Sequence, residues 1–120
     1  MKRYLFTLIA AFLLMACGKS QQMAITDFSA VDLKDGAVLV DVRTPEEYAE
    51  GHLEGALNID WFSPDFASQW EGIDKGQTVY VYCKVGGRSA KAAQMLDSLG
   101  YSHVVDLTGG YDAYLAAGKK

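Results

Sequence analysis

The sequence predicts an α/β domain: a parallel sheet with helices on both faces. Three observations point there. Apolar β-type runs alternate with helix-compatible stretches, helix-start and helix-stop residues fall between them, and a cysteine stands where one run passes into the next helix. The runs are Ala37 to Val42, Ala56 to Ile59, Thr78 to Tyr82 and His103 to Val105. The helical stretches between and after them are Pro45 to Glu50, Phe62 to Trp70, Ser89 to Leu99 and Tyr111 to Ala116.

Local chemistry justifies each boundary. In Thr44-Pro45-Glu46-Glu47 the threonine caps, proline fits the first helical turn, and the two glutamates complement the positive end of the helix dipole. From Ser89 onward Ala92, Leu96 and Leu99 recur at helical spacing, Lys91 and Asp97 fall off that stripe, and Gly100 stops the helix. Trp61, Phe62, Phe66 and Trp70 read as core or cover over the sheet. Gly109-Gly110 lacks the spacing of a dinucleotide fingerprint and reads as a turn into the last helix. No internal repeat, low-complexity segment or second domain interrupts the 120 residues.

The N-terminus belongs outside this pattern. Lys2 and Arg3 precede an apolar run from Tyr4 to Met15, too short for a membrane span and shaped like a secretory signal. Its end, Leu14-Met15-Ala16-Cys17, resembles the lipobox of bacterial lipoproteins, which implies lipidation of the Cys17 sulfur and cleavage before it. The alternative is an ordinary signal peptide with Cys17 incidental. The expected division is a signal peptide over residues 1–16, a lipidated tether over 17–24 and a domain over 25–120. The expected location is the cell envelope, on the periplasmic face of a membrane reached through acyl chains. Gly18 after the cysteine resembles an outer-membrane sorting pattern in a Gram-negative cell.

Without Lys2 and Arg3, nine basic residues face fifteen acidic ones, so nucleic acid is excluded as a partner. Lipidation of Cys17 would leave Cys83 as the sole thiol. A lone thiol exported to oxidising surroundings points to chemistry rather than to a disulfide.

Cys83 ends the run Thr78 to Tyr82 and opens the loop Cys83-Lys84-Val85-Gly86-Gly87-Arg88 ahead of Ser89. At a strand's carboxyl end and a helix's amino end, backbone N–H groups and the helix dipole favour an anionic sulfur. Gly86 and Gly87 allow the backbone to curl so that amides face one centre, and Lys84 and Arg88 add positive charge at its rim. The site predicts a small anionic sulfur donor as ligand.

Three segments together resemble the rhodanese family of sulfurtransferases: Asp41 to Tyr48 followed by Gly51 to Ile59, the loop Cys83 to Arg88 with Ser89, and Leu107 to Tyr111. The resemblance spans nearly all of the chain after the leader and is closest to single-domain members. It implies a five-stranded parallel sheet with helices on both faces. It also implies catalysis through a Cys83 persulfide, with a thiol or cyanide acceptor and no metal or organic cofactor. The loop has six residues from cysteine through arginine, the length sized for sulfur, where related phosphatases and arsenate reductases carry one more. Two departures stand out: Val85 is apolar at the loop mouth, and Tyr114 occupies a position where the family often has tryptophan.

Cys83 is the expected nucleophile, and Lys84, Val85, Gly86, Gly87 and Arg88 the expected substrate-binding loop. Arg88 has a second reading, pairing with a nearby carboxylate, and Lys84 a second reading as a solvated loop charge. Asp41 and Arg43 are expected to brace the loop rather than touch substrate. His52 is expected to be a hydrogen-bonded structural histidine, and Ser89 a structural support. The competing function is a persulfide-carrying or redox-sensing module whose acceptor is another envelope protein.

Overall fold

The computed structural model describes residues 19–119. The leader over 1–16 and the lipidation expected at Cys17 lie outside the described residues. Strand β1 (Gln21–Ala24) runs into two short 3-10 turns, Ile25–Asp27 and Ala30–Leu33. Strand β2 (Val38–Asp41) then leads to helix α1 (Pro45–Glu50) and strand β3 (Leu57–Asn58). A single-turn helix α2 (Phe66–Gln69) precedes strand β4 (Thr78–Tyr82), helix α3 (Gly87–Ser98), strand β5 (His103–Thr108) and helix α4 (Gly110–Ala116).

All five strands are parallel, in the order β1-β5-β4-β2-β3. This is the five-stranded sheet expected from the sequence. Its central strand is β4, buried from Val79 to Tyr82. Alternation along the strands divides the core in two. Val40, Val79, Val81, Cys83 and Val104 point to the α3 face, where Ala92, Ala93, Leu96, Phe66 and Trp70 meet them. Leu39, Tyr80, Tyr82 and Leu107 point to the other face, against Ile25, Phe28, Leu53 and the α4 residues Tyr111, Ala113 and Tyr114.

Four elements differ from expectation. Gln21–Ala24, read as part of a tether, is edge strand β1, paired with Val105 to Thr108 of β5. An edge strand is held by backbone hydrogen bonds, so its polar composition did not mark it. Strand β5 continues three residues past Val105, because Asp106 is buried although polar. Helix α3 starts at Gly87, two residues before Ser89. The stretch from Phe62 to Trp70 is helical only over Phe66–Gln69, since a turn closed by the Ser63 hydroxyl on the Asp65 carboxylate occupies its start. Trp70 and Phe66 are buried as expected, whereas Phe62 is 65% exposed. The Phe62 ring lies beneath the Arg88 guanidinium, whose carbon is 5.5 Å from its centroid.

The parallel arrangement brings three carboxyl-terminal strand ends to one edge: Asp41 with Val42 and Arg43, Tyr82 with Cys83, and Thr108 with Gly109. Their register is set by Asp41 opposite Tyr82 and Val81 opposite Asp106. Open α/β sheets bind ligands at this edge.

Candidate active site

Cys83 stands one residue beyond β4, and its residue is 1% exposed. Its sulfur accepts hydrogen bonds from the backbone N–H of Gly86 at 3.1 Å and of Ser89 at 3.3 Å. The Ser89 hydroxyl lies 3.6 Å away. Among the described residues, the amides of Lys84, Val85, Gly87 and Arg88 have no hydrogen-bond acceptor. Only one of the loop's two glycines needs its freedom. Gly86 has φ +127°, a region that other residues rarely adopt, while Gly87 begins α3 without a positive φ.

Helix α4 holds the loop from behind. The Tyr111 amide donates to the Cys83 carbonyl at 2.8 Å, and the Asp112 amide donates to the Lys84 carbonyl at 3.1 Å. The first-turn amides of one helix thus cap the loop that begins another. This contact requires Gly110: a Cβ there would sit 2.3 Å from the Lys84 carbonyl oxygen and 2.7 Å from the Val85 nitrogen.

A buried ion pair supports α4 in turn. Asp41 is fully buried and Arg43 is 4% exposed. The Arg43 Nη2 donates to Asp41 Oδ2 at 2.7 Å and to the Gly51 carbonyl at 2.7 Å, and its Nε donates to Asp41 Oδ1 at 3.0 Å. The guanidinium carbon lies 4.5 Å from the Tyr111 ring centroid. Burial opposes the charge on Arg43, but the bonds and charge of Asp41 outweigh it, and the net effect raises the Arg43 pKa. Asn58 donates its side-chain amide to the carbonyls of Asp41 at 3.0 Å and Arg43 at 2.9 Å. The pair's hydrogen bonds run within the pair, to the Gly51 carbonyl and, through Asn58, to its own backbone, rather than to the sulfur. Asp41→Asn is expected to lower unfolding free energy by about 3–5 kcal/mol, the usual cost of leaving one buried charge uncompensated. Urea denaturation measures this directly.

His52 hydrogen-bonds through Nδ1 to the Tyr48 carbonyl at 2.8 Å and stacks on the Tyr48 ring at 3.7 Å between centroids.

Arg88, the last residue of the loop, meets a carboxylate. Its Nη1 and Nη2 donate to Glu47 Oε1 at 2.7 Å and Oε2 at 3.1 Å. A guanidinium engaged in this fork ties α3 to α1 across the loop. The Arg88 hydrogen bond is the main cause holding the Glu47 pKa down at about 2, with the Thr44 cap adding to it against the opposing effect of burial. A carboxylate with a depressed pKa contributes stability above its usual value and loses it as pH falls through the folded-state value. The stability difference between the native chain and Glu47→Gln should therefore be full at neutral pH and shrink from about 4.5 down to about 2. Urea midpoints measured across that range test it. Lys84 pairs with Asp112 at 2.9 Å, but both side chains are about half exposed, so the pair is weak and easily exchanged.

Beside the loop lies an open groove of about 390 Å³ with Arg43, Glu47, Lys84, Tyr111 and Asp112 in its lining. A larger groove of about 480 Å³, at Asp74, Lys75, Leu99 and Tyr101, lies where chain enters β4 and β5, at the opposite edge from Cys83.

A family model described as Rhodanese-like domain matches residues 29–117, which include the whole of this site. The chain belongs to the rhodanese family. It is 40% identical over 96 residues to Protein HIGH ARSENIC CONTENT 1, mitochondrial, of Arabidopsis thaliana, covering 72% of this chain and 57% of that protein. It is 39% identical over 70 residues to Thiosulfate sulfurtransferase PspE of Escherichia coli, covering 58% of this chain and 67% of that one. Among solved structures it is similar to the human single-domain sulfurtransferase TSTD1, with TM-score 0.66, 26% identity, and coverage of 81% and 96%. The chain is a rhodanese-like enzyme of the sulfur-transfer kind.

Several residues that build this rhodanese loop escaped the sequence reading. Glu47 registered only as a helix-start charge, although Thr44-x-x-Glu47 is a capping box whose glutamate also faces Arg88. Gly110 registered as a turn, and nothing in a Gly-Gly pair signals which distant backbone it meets. Asp106 fell just beyond the expected run His103 to Val105, and its one legible signal was a carboxylate between Val105 and Leu107.

Proposed function

We propose that this chain moves sulfane sulfur from a thiosulfate-like donor to a thiophilic acceptor through a persulfide on Cys83. One observation carries this reading: the Cys83 sulfur is the focus of two inward-facing amides at a strand-to-helix turn, with further loop amides uncommitted. Anionic sulfur is what such donors stabilise. The Cys83 thiolate attacks the outer sulfur of thiosulfate, a new S–S bond forms, the old one breaks, and sulfite leaves with the bonding electron pair. Cyanide or a thiolate then attacks the outer persulfide sulfur, and the Cys83 thiolate is regenerated. Loop amides and the easily released Lys84 hold the donor's oxyanion end, while Arg88 stays on Glu47 as a brace. Because Cys83 is 1% exposed, the loop must yield for the donor's sulfur to reach it.

Intact mass after thiosulfate treatment tests the intermediate. The soluble domain should gain one sulfur atom, removable by a thiol reductant; no gain sinks the mechanism.

A carrier that discharges to a partner protein is the second reading, supported by the exposure of Val85 in the loop and of Phe62 beside Arg88. A persulfide that cyanide discharges slowly, but a protein thiol quickly, would select it. The six-residue loop argues against phosphatase activity. We also place the chain at the cell envelope on a lipid attached to Cys17, supported by the leader and the lipobox-like segment. Labelling with a radioactive fatty acid, lost in Cys17→Ala, checks the anchor.

A further inference from the structure

The loop Cys83 to Arg88 carries two cations, and a flanking helix supplies a carboxylate to each: Asp112 of α4 to Lys84, and Glu47 of α1 to Arg88. The two pairs differ in how firmly they hold. Lys84 and Asp112 are 52% and 47% exposed, so water and small anions compete for the ammonium. Arg88 and Glu47 are 20% and 27% exposed, and both carboxylate oxygens are engaged by the guanidinium fork, at 2.7 and 3.1 Å. Glu47 is fixed in turn, because its Oε1 also accepts from the Thr44 backbone N–H at 2.9 Å and hydroxyl at 3.1 Å. Lys84 is therefore an exchangeable cation and Arg88 a locked one.

One exchangeable cation matches one negative charge on a ligand. The approach to the loop offers no second. Val85, within the loop, is apolar and 66% exposed. The groove beside the loop has Glu47, Glu50 and Asp112 in its lining against Lys84 and Arg43, and Arg43 is already held by Asp41. A second negative charge on a ligand thus meets carboxylates rather than a free guanidinium.

We propose that Glu47 is a positioning residue that sets donor specificity: by holding Arg88 it withholds the loop's second positive charge and biases the site toward singly charged sulfur donors over doubly charged ones. The inference rests on reading Cys83 as the sulfur carrier and deepens it to the charge class of the donor. The chemical step is the same for both classes. From a thiosulfonate, R–SO2–S⁻, the Cys83 thiolate takes the outer sulfur, the old S–S bond breaks and the sulfinate R–SO2⁻ leaves with the bonding electron pair. From thiosulfate the leaving group is sulfite. Methanethiosulfonate differs from thiosulfate by one methyl group in place of one anionic oxygen, so the two donors compare charge with little change in shape.

The test measures kcat/KM with each of these two donors, cyanide being the acceptor. The ratio of the two within one variant is independent of how much of that variant is folded. Glu47→Gln keeps an acceptor suited to the capping box but removes the charge. It should raise thiosulfate relative to methanethiosulfonate about fivefold, and added salt should shrink the shift by screening the uncovered guanidinium. Adding Arg88→Gln should return the ratio to the native value, because the pair is then neutral again. An unchanged ratio in Glu47→Gln overturns the proposal. So does a shift that persists in the double variant, which would have a cause other than the uncovered Arg88 charge. A chain that takes sulfur from both donors yet shows either result loses this inference alone; a chain that takes sulfur from neither loses the sulfur-carrier reading.

Discussion

Cys83→Ala is expected to remove sulfur transfer altogether, a loss of about three orders of magnitude or more in kcat/KM, because among the described residues no other thiol can hold the transferred atom. The measurements are thiocyanate formation from thiosulfate and cyanide, and the mass gain of the treated chain. The fold should survive. Two amides, of Gly86 and Ser89, lose their acceptor, and a small apolar volume is emptied, costing about 1–3 kcal/mol. Cys83→Ser should be equally inactive while better folded, since its oxygen still accepts from those amides but is a far weaker nucleophile. If either variant retains transfer while folded, the nucleophile lies elsewhere and the mechanism fails.

Gly110→Ala is expected to be the most damaging change that touches no reacting atom. Two costs combine: the residue has φ +69°, and the added carbon would overlap the Lys84 carbonyl at 2.3 Å. Backbone rather than a flexible side chain is in the way, so α4 or the loop must move, at about 3 kcal/mol or more in all. Either movement strips the Cys83 and Lys84 carbonyls of the amides of Tyr111 and Asp112 and reshapes the sulfur cradle. A displacement of about 1 Å there should cost about a hundredfold in transfer rate. Gly36→Ala separates the two costs, having φ +82° but open space around the added carbon. It should lose only about 1 kcal/mol and no activity. Equal denaturation midpoints for the two variants would rule out the proposed overlap.

These two substitutions mark how far the sequence could be read. The strand-to-helix loop at Cys83 was legible because it is local: a β-run before it, glycines after it and a helix beyond are neighbours along the chain, and one loop sets the amides that face its sulfur. The alternation of β- and α-type segments was legible for the same reason. Pro45–Glu50 and Thr78–Tyr82 have the expected bounds, since capping residues and β-branched or aromatic runs act over a few positions. Strand β1 was not legible, because its stabilising partner is β5, more than eighty residues away.

By itself, the sequence determined the α/β class and the short loop that starts at Cys83, each a consequence of short-range sterics, hydrogen bonding and solvation. Only the tertiary structure decided that Arg88 binds Glu47, that α4 meets the loop through Gly110, and that the Asp41–Arg43 pair is buried against Tyr111. Those contacts join positions far apart in the chain, and a side chain's type states what it can bind but not which partner the folded sheet will bring within reach.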